Sequence, residues 1–126
     1  MEEIIIIDDN EINNFNKEKM IKSVSSDLNV KCYTDSVLAL REISTKNLQD
    51  NTTILLDLDI PDMNGWEFLK LFETNKANTK CNIYILSSSQ NPNDEEAARK
   101  NSSINGYLSK PLTIEKINQL IRTGLN

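Results

Sequence analysis

The stretch Leu55 to Gly65, LLDLDIPDMNG, decides how the rest of the chain is read. Ile54, Leu55 and Leu56 form an apolar run of the kind a buried strand needs. The chain then delivers Asp57, Asp59 and Asp62 within six residues. Pro61 and Gly65 interrupt regular structure just beyond. A hydrophobic strand that ends in clustered carboxylates is costly unless something answers the charge.

Working outward, short apolar runs recur at Ile4–Ile7, Val30–Tyr33, Ile54–Leu56, Ile83–Leu86 and Tyr107–Leu108. Longer segments with helical spacing lie between them. Ile12, Phe15, Met20 and Val24 are expected to share one helix face, and Val37, Leu40 and Ile43 another. Phe68, Leu69 and Phe72 form a third set, and Ile114, Ile117 and Ile121 a further one. Asp35 or Ser36 can cap the second helix. Asn91, Pro92 and the acids Asp94, Glu95 and Glu96 read as a helix start. Asn101 is expected to end that helix in the left-handed conformation. Between Asn93 and Asn101 this fourth helix offers a core only Ala97 and Ala98, so it should be weakly anchored.

The pattern is a strand and a helix repeated five times. Such alternation implies an α/β fold with a parallel sheet covered by helices on both faces. Unbroken runs such as IIII suit strands buried on both sides.

Composition narrows the chemistry. The chain has 126 residues, 38% of them apolar and 26% charged, which fits one globular domain. The run Ile4–Ile7 is far too short to cross a bilayer, and the Met-Glu-Glu start lacks the basic residues of a secretory signal. A cytoplasmic protein is therefore expected. The net charge of −5 and the scattered Arg41, Arg99 and Arg122 argue against a nucleic-acid groove. There is no histidine, which excludes a histidine base, a Ser-His-Asp triad or a phosphohistidine within the chain. Cys32 and Cys81 lack metal spacing and read as free thiols.

The polar residues that follow each strand form a constellation. Asp8 and Asp9 follow the first, Asp57 the third, Ser87 the fourth, and Lys110-Pro111 the fifth. Ligands of open parallel α/β sheets bind at these carboxyl ends. Two unit charges about 4 Å apart interact by about 4 kcal/mol at an effective dielectric of about 20. Converging Asp8, Asp9 and Asp57 must therefore bind protons or a cation. Hard oxygens beside a phosphate site suit Mg²⁺. Lys110 and Ser87 suit phosphoryl oxygens. The set describes phosphoryl transfer onto an aspartate.

On these residues the sequence resembles the receiver domain of two-component response regulators. The resemblance is carried by IIIIDDN (Ile4–Asn10), LLDLDIPDMNG (Leu55–Gly65), YILSSS (Tyr84–Ser89) and GYLSKPL (Gly106–Leu112), and it covers the whole chain. It implies a flavodoxin-like (βα)5 doubly wound fold with strand order 2-1-3-4-5. It implies that Asp57 is the phosphoacceptor, supplied by a sensor histidine kinase or a histidine phosphotransfer protein. Asp9 would bind Mg²⁺ directly, Asp8 through water, and Asp59 through its backbone carbonyl. Lys110 would pair with the phosphoryl group across a cis Lys110–Pro111 bond. Ser87 and Tyr107 would form the switch that reshapes the fourth helix, fifth strand and fifth helix for an unknown downstream protein. Residues 1–126 would be one stand-alone receiver domain without an effector. In that family the positions of Asp59 and Ser89 often tune how water reaches the phosphoaspartate, and Asp59 could either orient water or repel phosphate.

Two alternatives stand beside it. Asp57-Leu58-Asp59 also resembles the nucleophile motif of haloacid-dehalogenase-type phosphatases, but in those enzymes the acidic metal pair follows the nucleophile, and here it precedes it. The other is a pseudo-receiver, a binding module that is not phosphorylated. The intact Asp8, Asp9, Asp57, Ser87 and Lys110 weigh against that.

Overall fold

The computed structural model of the chain describes residues 2–45, 51–58, 64–75, 81–88 and 92–124. Five strands alternate with five helices: β1 (Glu3–Ile7), α1 (Glu11–Val24), β2 (Asn29–Tyr33), α2 (Ser36–Ser44), β3 (Thr52–Asp57), α3 (Gly65–Asn75), β4 (Asn82–Ser87), α4 (Pro92–Lys100), β5 (Gly106–Ser109) and α5 (Ile114–Gly124). Every strand pair is parallel, and the order is β2-β1-β3-β4-β5. The flavodoxin-like arrangement implied by the resemblance is thus the observed one.

The apolar runs are unbroken because alternate residues feed two cores. Ile5, Ile7, Ile54, Leu56, Ile83 and Ile85 join Leu40 and Ile43 of α2 and Phe68, Leu69 and Phe72 of α3. Ile4, Ile6, Leu55 and Leu86 join Ile21 of α1 and Ile117 and Leu120 of α5 on the other face. A run that alternated with polar residues would leave one of these layers without its sheet side.

Helix starts follow the expected chemistry. The Asp35 carboxylate accepts from the amides of Val37 and Leu38, so Asp35 rather than Ser36 caps α2. Asn10 caps α1, and Asn64 caps α3 by accepting from the Glu67 amide at 2.9 Å. Pro92 is the first residue of α4, whereas Asn91 lies outside the described residues. Asn101 departs from expectation. No non-glycine residue among those described has a positive φ; Asn101 instead folds a local turn, its side-chain oxygen accepting from the Ser103 amide at 2.9 Å. In α4 only Ala98 is buried, and Ala97 is exposed.

Helix α1 also differs from its expected face. Ile12 and Phe15 are 70% and 61% exposed, and the buried residues are Asn14 and Ile21. The reason is what the helix covers. Its first half packs on the polar ends of β1 and β2, where carbonyls need donors, and only its second half meets apolar core. Val37 and Ile114 are exposed for a simpler reason: each lies in the first turn of its helix. Neither Cys32 nor Cys81 is in a disulfide. Burial and the neighbouring Glu18 push the Cys32 thiol up to about 11, which keeps it protonated. No helix among the described residues is long and apolar enough to cross a membrane.

Candidate functional site

Strand register assembles the site. Ile7 of β1 lies opposite Leu56 of β3, so the next residues, Asp8 and Asp57, emerge side by side. Asp57 lies opposite Leu86, which places Ser87 one residue beyond it on β4, and Ser87 lies opposite Ser109 of β5. Lys110 follows at once, and its amide donates to the Ser87 carbonyl at 2.8 Å. Four expected residues, far apart in sequence, are thereby gathered at the carboxyl edge of the sheet.

One carboxylate oxygen from each of Asp8, Asp9 and Asp57 lies within 4.8 Å of the other two. Asp8 and Asp57 are 1% and 3% exposed, whereas Asp9 is open to solvent. Lys110 Nζ sits 2.7 Å from Asp57 Oδ2. Ser87 is fully buried. The Lys110–Pro111 bond is cis. Three hard carboxylates within one small sphere, one of them facing solvent, fit a hydrated divalent cation such as Mg²⁺. Asp59 and Ser89 lie outside the described residues. Tyr107 lies on β5 opposite Ile85, packs against the core that α2 and α3 cover, and buries a hydroxyl that finds no hydrogen-bond partner among the described residues.

The electrostatics set the two metal-side aspartates apart. Burial pushes the Asp8 carboxyl up, but the Lys17 hydrogen bond, the Asn10 amide and the charges of Lys17 and Lys110 together outweigh it, and Asp8 is held below the usual carboxylate range. Asp9 moves the other way. Desolvation at the cleft, and then the charges of Asp8 and Asp57, raise it.

Three structural contributors were not legible from the sequence. Lys17 Nζ lies 2.5 Å from Asp8 Oδ2. The buried Asn14 amide donates to the carbonyls of Asp8 at 2.9 Å and Tyr33 at 3.4 Å, tying α1 to the ends of β1 and β2. Lys116 donates to the carbonyls of Ser109 and Pro111, which fixes the turn that carries Lys110. A polar residue at a helix position spaced to face the sheet was the one available signal, and Asn14 and Lys17, three residues apart, both fit it.

Comparison with known proteins agrees with this fold. Residues 4–122 match the family described as response regulator receiver domain. A hybrid signal transduction histidine kinase of Dictyostelium discoideum is 27% identical over 94% of this chain, which spans only 7% of that protein's length. A two-component response regulator of Cytophaga hutchinsonii superposes with a TM-score of 0.86 and 27% identity, covering 100% of this chain and 98% of its own. The receiver domain of a Pseudomonas aeruginosa sensor histidine kinase, described with a magnesium ion coordinated in its active-site cleft, has a TM-score of 0.80 and 22% identity over 98% of this chain and 97% of its own.

Proposed function

The chain belongs to the response regulator receiver domain family of two-component signalling, and from that membership we propose that Asp57 accepts a phosphoryl group from a partner's phosphohistidine. The carrying observation is the pairing of Asp57 with Lys110 at 2.7 Å inside a cluster that also holds Asp8 and Asp9. Members of this family are in general not enzymes acting on an external substrate in repeated turnovers. With no histidine in the chain, the donor imidazole belongs to a sensor histidine kinase or a histidine phosphotransfer protein.

An Asp57 carboxylate oxygen attacks phosphorus, a P–O bond forms and the P–N bond breaks. The electron pair returns to the imidazole nitrogen. Lys110 holds the Asp57 carboxylate in place and then meets the phosphoryl oxygens as a point charge. Asp9 and Asp57, with Asp8 through water and the Asp59 carbonyl, would hold Mg²⁺, which when bound supplies charge neutralisation at the phosphoryl group. The receiver domain of the Pseudomonas kinase, with its magnesium ion, supports that reading.

The modification brings roughly −1.5 to −2 charges and three acceptor oxygens. Ser87, at the end of β4, would hydrogen-bond one of them. The packing around Ser87 and Tyr107 then couples the site to α4, β5 and α5, where a stand-alone receiver would contact a downstream protein. The thin anchoring of α4 through Ala98 lowers the cost of that rearrangement.

The test uses Trp66, which sits at the start of α3 and packs on the core beside the site. Acetyl phosphate or beryllofluoride with Mg²⁺ should change its emission, and acetyl phosphate should add one phosphoryl mass at Asp57. Asp57→Asn should remove both effects. A wild-type protein that shows neither would be a binding module without phosphorylation.

A further inference from the structure

Asp8 has both oxygens engaged from within the chain. Oδ1 accepts from the Asn10 amide at 3.0 Å, and Oδ2 lies 2.5 Å from Lys17 Nζ. The pair is deep: the Asp8 and Lys17 side chains are 1% and 11% exposed. Lys17 reaches it because helical side chains lean toward the N-terminus, here toward the strand ends. Asp57 has Lys110 in the same way. Among the described residues, two ammoniums thus face three carboxylates, leaving about one negative charge where a divalent cation is expected. Lys17 and Asp8 also line one cavity of about 280 Å³ with Met20, Leu86 and Leu112. The ammonium has room to move off Asp8 along that wall.

We propose that Lys17 is a positioning residue of the acidic site: it holds Asp8 in the metal-free protein as an internal counter-cation and, by competing for Oδ2, sets how tightly the site binds Mg²⁺. This rests on the reading of Asp8, Asp9 and Asp57 as a Mg²⁺ site. A cation, or water from its shell, approaching Asp8 meets an oxygen already shared with Lys17. The Lys17 charge also opposes any second cation in the cluster. Lys17 thereby lowers Mg²⁺ affinity while keeping the empty site folded. A purely structural ion pair would support folding and leave Mg²⁺ affinity alone.

The experiment is a Mg²⁺ titration of the full chain, by calorimetry and Trp66 emission, with thermal melts with and without Mg²⁺. Wild type is compared with Lys17→Met, Lys17→Gln and Lys17→Arg. Lys17→Met, or Lys17→Gln should the methionine variant not fold, is expected to bind Mg²⁺ about tenfold more tightly, the scale of one screened charge. Its melting temperature should fall without metal and recover with saturating Mg²⁺. Lys17→Arg, which keeps the charge, should stay within about twofold of wild type. Unchanged or weaker Mg²⁺ binding by a folded neutral variant overturns the inference and leaves the metal site standing. Equal tightening by Lys17→Arg also overturns it. A wild type that binds no Mg²⁺ overturns the inference and the metal reading together.

Discussion

Lys110 Nζ lies 2.7 Å from Asp57 Oδ2, although the two residues are 53 positions apart and their strands, β5 and β3, are separated by β4. The bond crosses the edge of an intervening strand, so it depends on the turn held by Lys116 as much as on the sheet. Asp57 is almost fully buried, and Lys110 is its partner in neutralising charge.

Lys110→Ala should therefore act on both stability and chemistry. In the metal-free protein it should cost about 2–3 kcal/mol by urea denaturation, under the range for a fully buried pair because Lys110 is 27% exposed. Phosphorylation by acetyl phosphate should slow about 100-fold. Lost stability with an unchanged phosphorylation rate would reduce the pair to a structural one.

Asp9→Asn should separate metal binding from folding. Asp9 is crowded by Asp8 and Asp57, so neutralising it relieves repulsion on the order of 0.5–1 kcal/mol after solvent screening. The metal-free melting temperature should rise by about 2–5 °C. The same variant should lose most of its Mg²⁺ response in Trp66 emission. A metal-free variant less stable than wild type would contradict the charge argument.

Gly65 is required for close approach. A Cβ there would lie 3.0 Å from Leu58 Cα and 3.3 Å from the Asp57 carbonyl oxygen, and both are backbone atoms that cannot rotate away. The Gly65 amide also donates to the Leu58 carbonyl at 2.9 Å. Gly65→Ala should cost about 1–3 kcal/mol and lower the phosphorylation rate, because α3 would be pushed off the Asp57 end of β3. An alanine variant as stable as wild type would mean that α3 shifts freely.

The pH dependence has two signs. Asp8 is held below its ordinary value of 3.8 in the folded state, so its contribution is whole above that pH and is lost as the pH falls through the lower folded value. Asp9 is raised, so its contribution is present below 3.8 and is lost as the pH rises through the raised value. In metal-free protein, Lys17→Met should flatten the acid limb of stability below about pH 4, and Asp9→Asn should remove the loss just above it. Urea midpoints measured across this range decide the matter, and identical profiles for the variants and wild type would refute both assignments.

Tyr107 buries a hydroxyl without a hydrogen-bond partner among the described residues. Tyr107→Phe should be neutral or stabilising by up to about 1 kcal/mol in the unphosphorylated protein. Tyr107→Ala and Ser87→Ala should each weaken the dependence of downstream-protein capture on beryllofluoride. Full dependence in both variants would exclude the coupling through these residues.

The alternation of five apolar runs with helical segments was enough for the α/β class, and the residues after each run were enough for the site, because strand ends in a parallel sheet converge. The family resemblance implied the strand order, which the structure shows, and it is the source of the roles proposed for these residues. The helix faces were read less well where the partner surface was polar. Ile12 and Phe15 satisfied helical spacing, yet Asn14 and Ile21 are the buried residues, because the first half of α1 covers carbonyls and Asp8.

The amino-acid types alone say which groups are at hand: the carboxylates of Asp8, Asp9 and Asp57, the ammonium of Lys110, the hydroxyl of Ser87, a net charge of −5 and no histidine. Only the tertiary structure decided how that charge is shared. Periodicity reports which side of a helix faces inward, but not what it faces. Lys17 looked like any helix lysine until the fold brought its ammonium onto a buried carboxylate, where the absence of water makes one such contact matter.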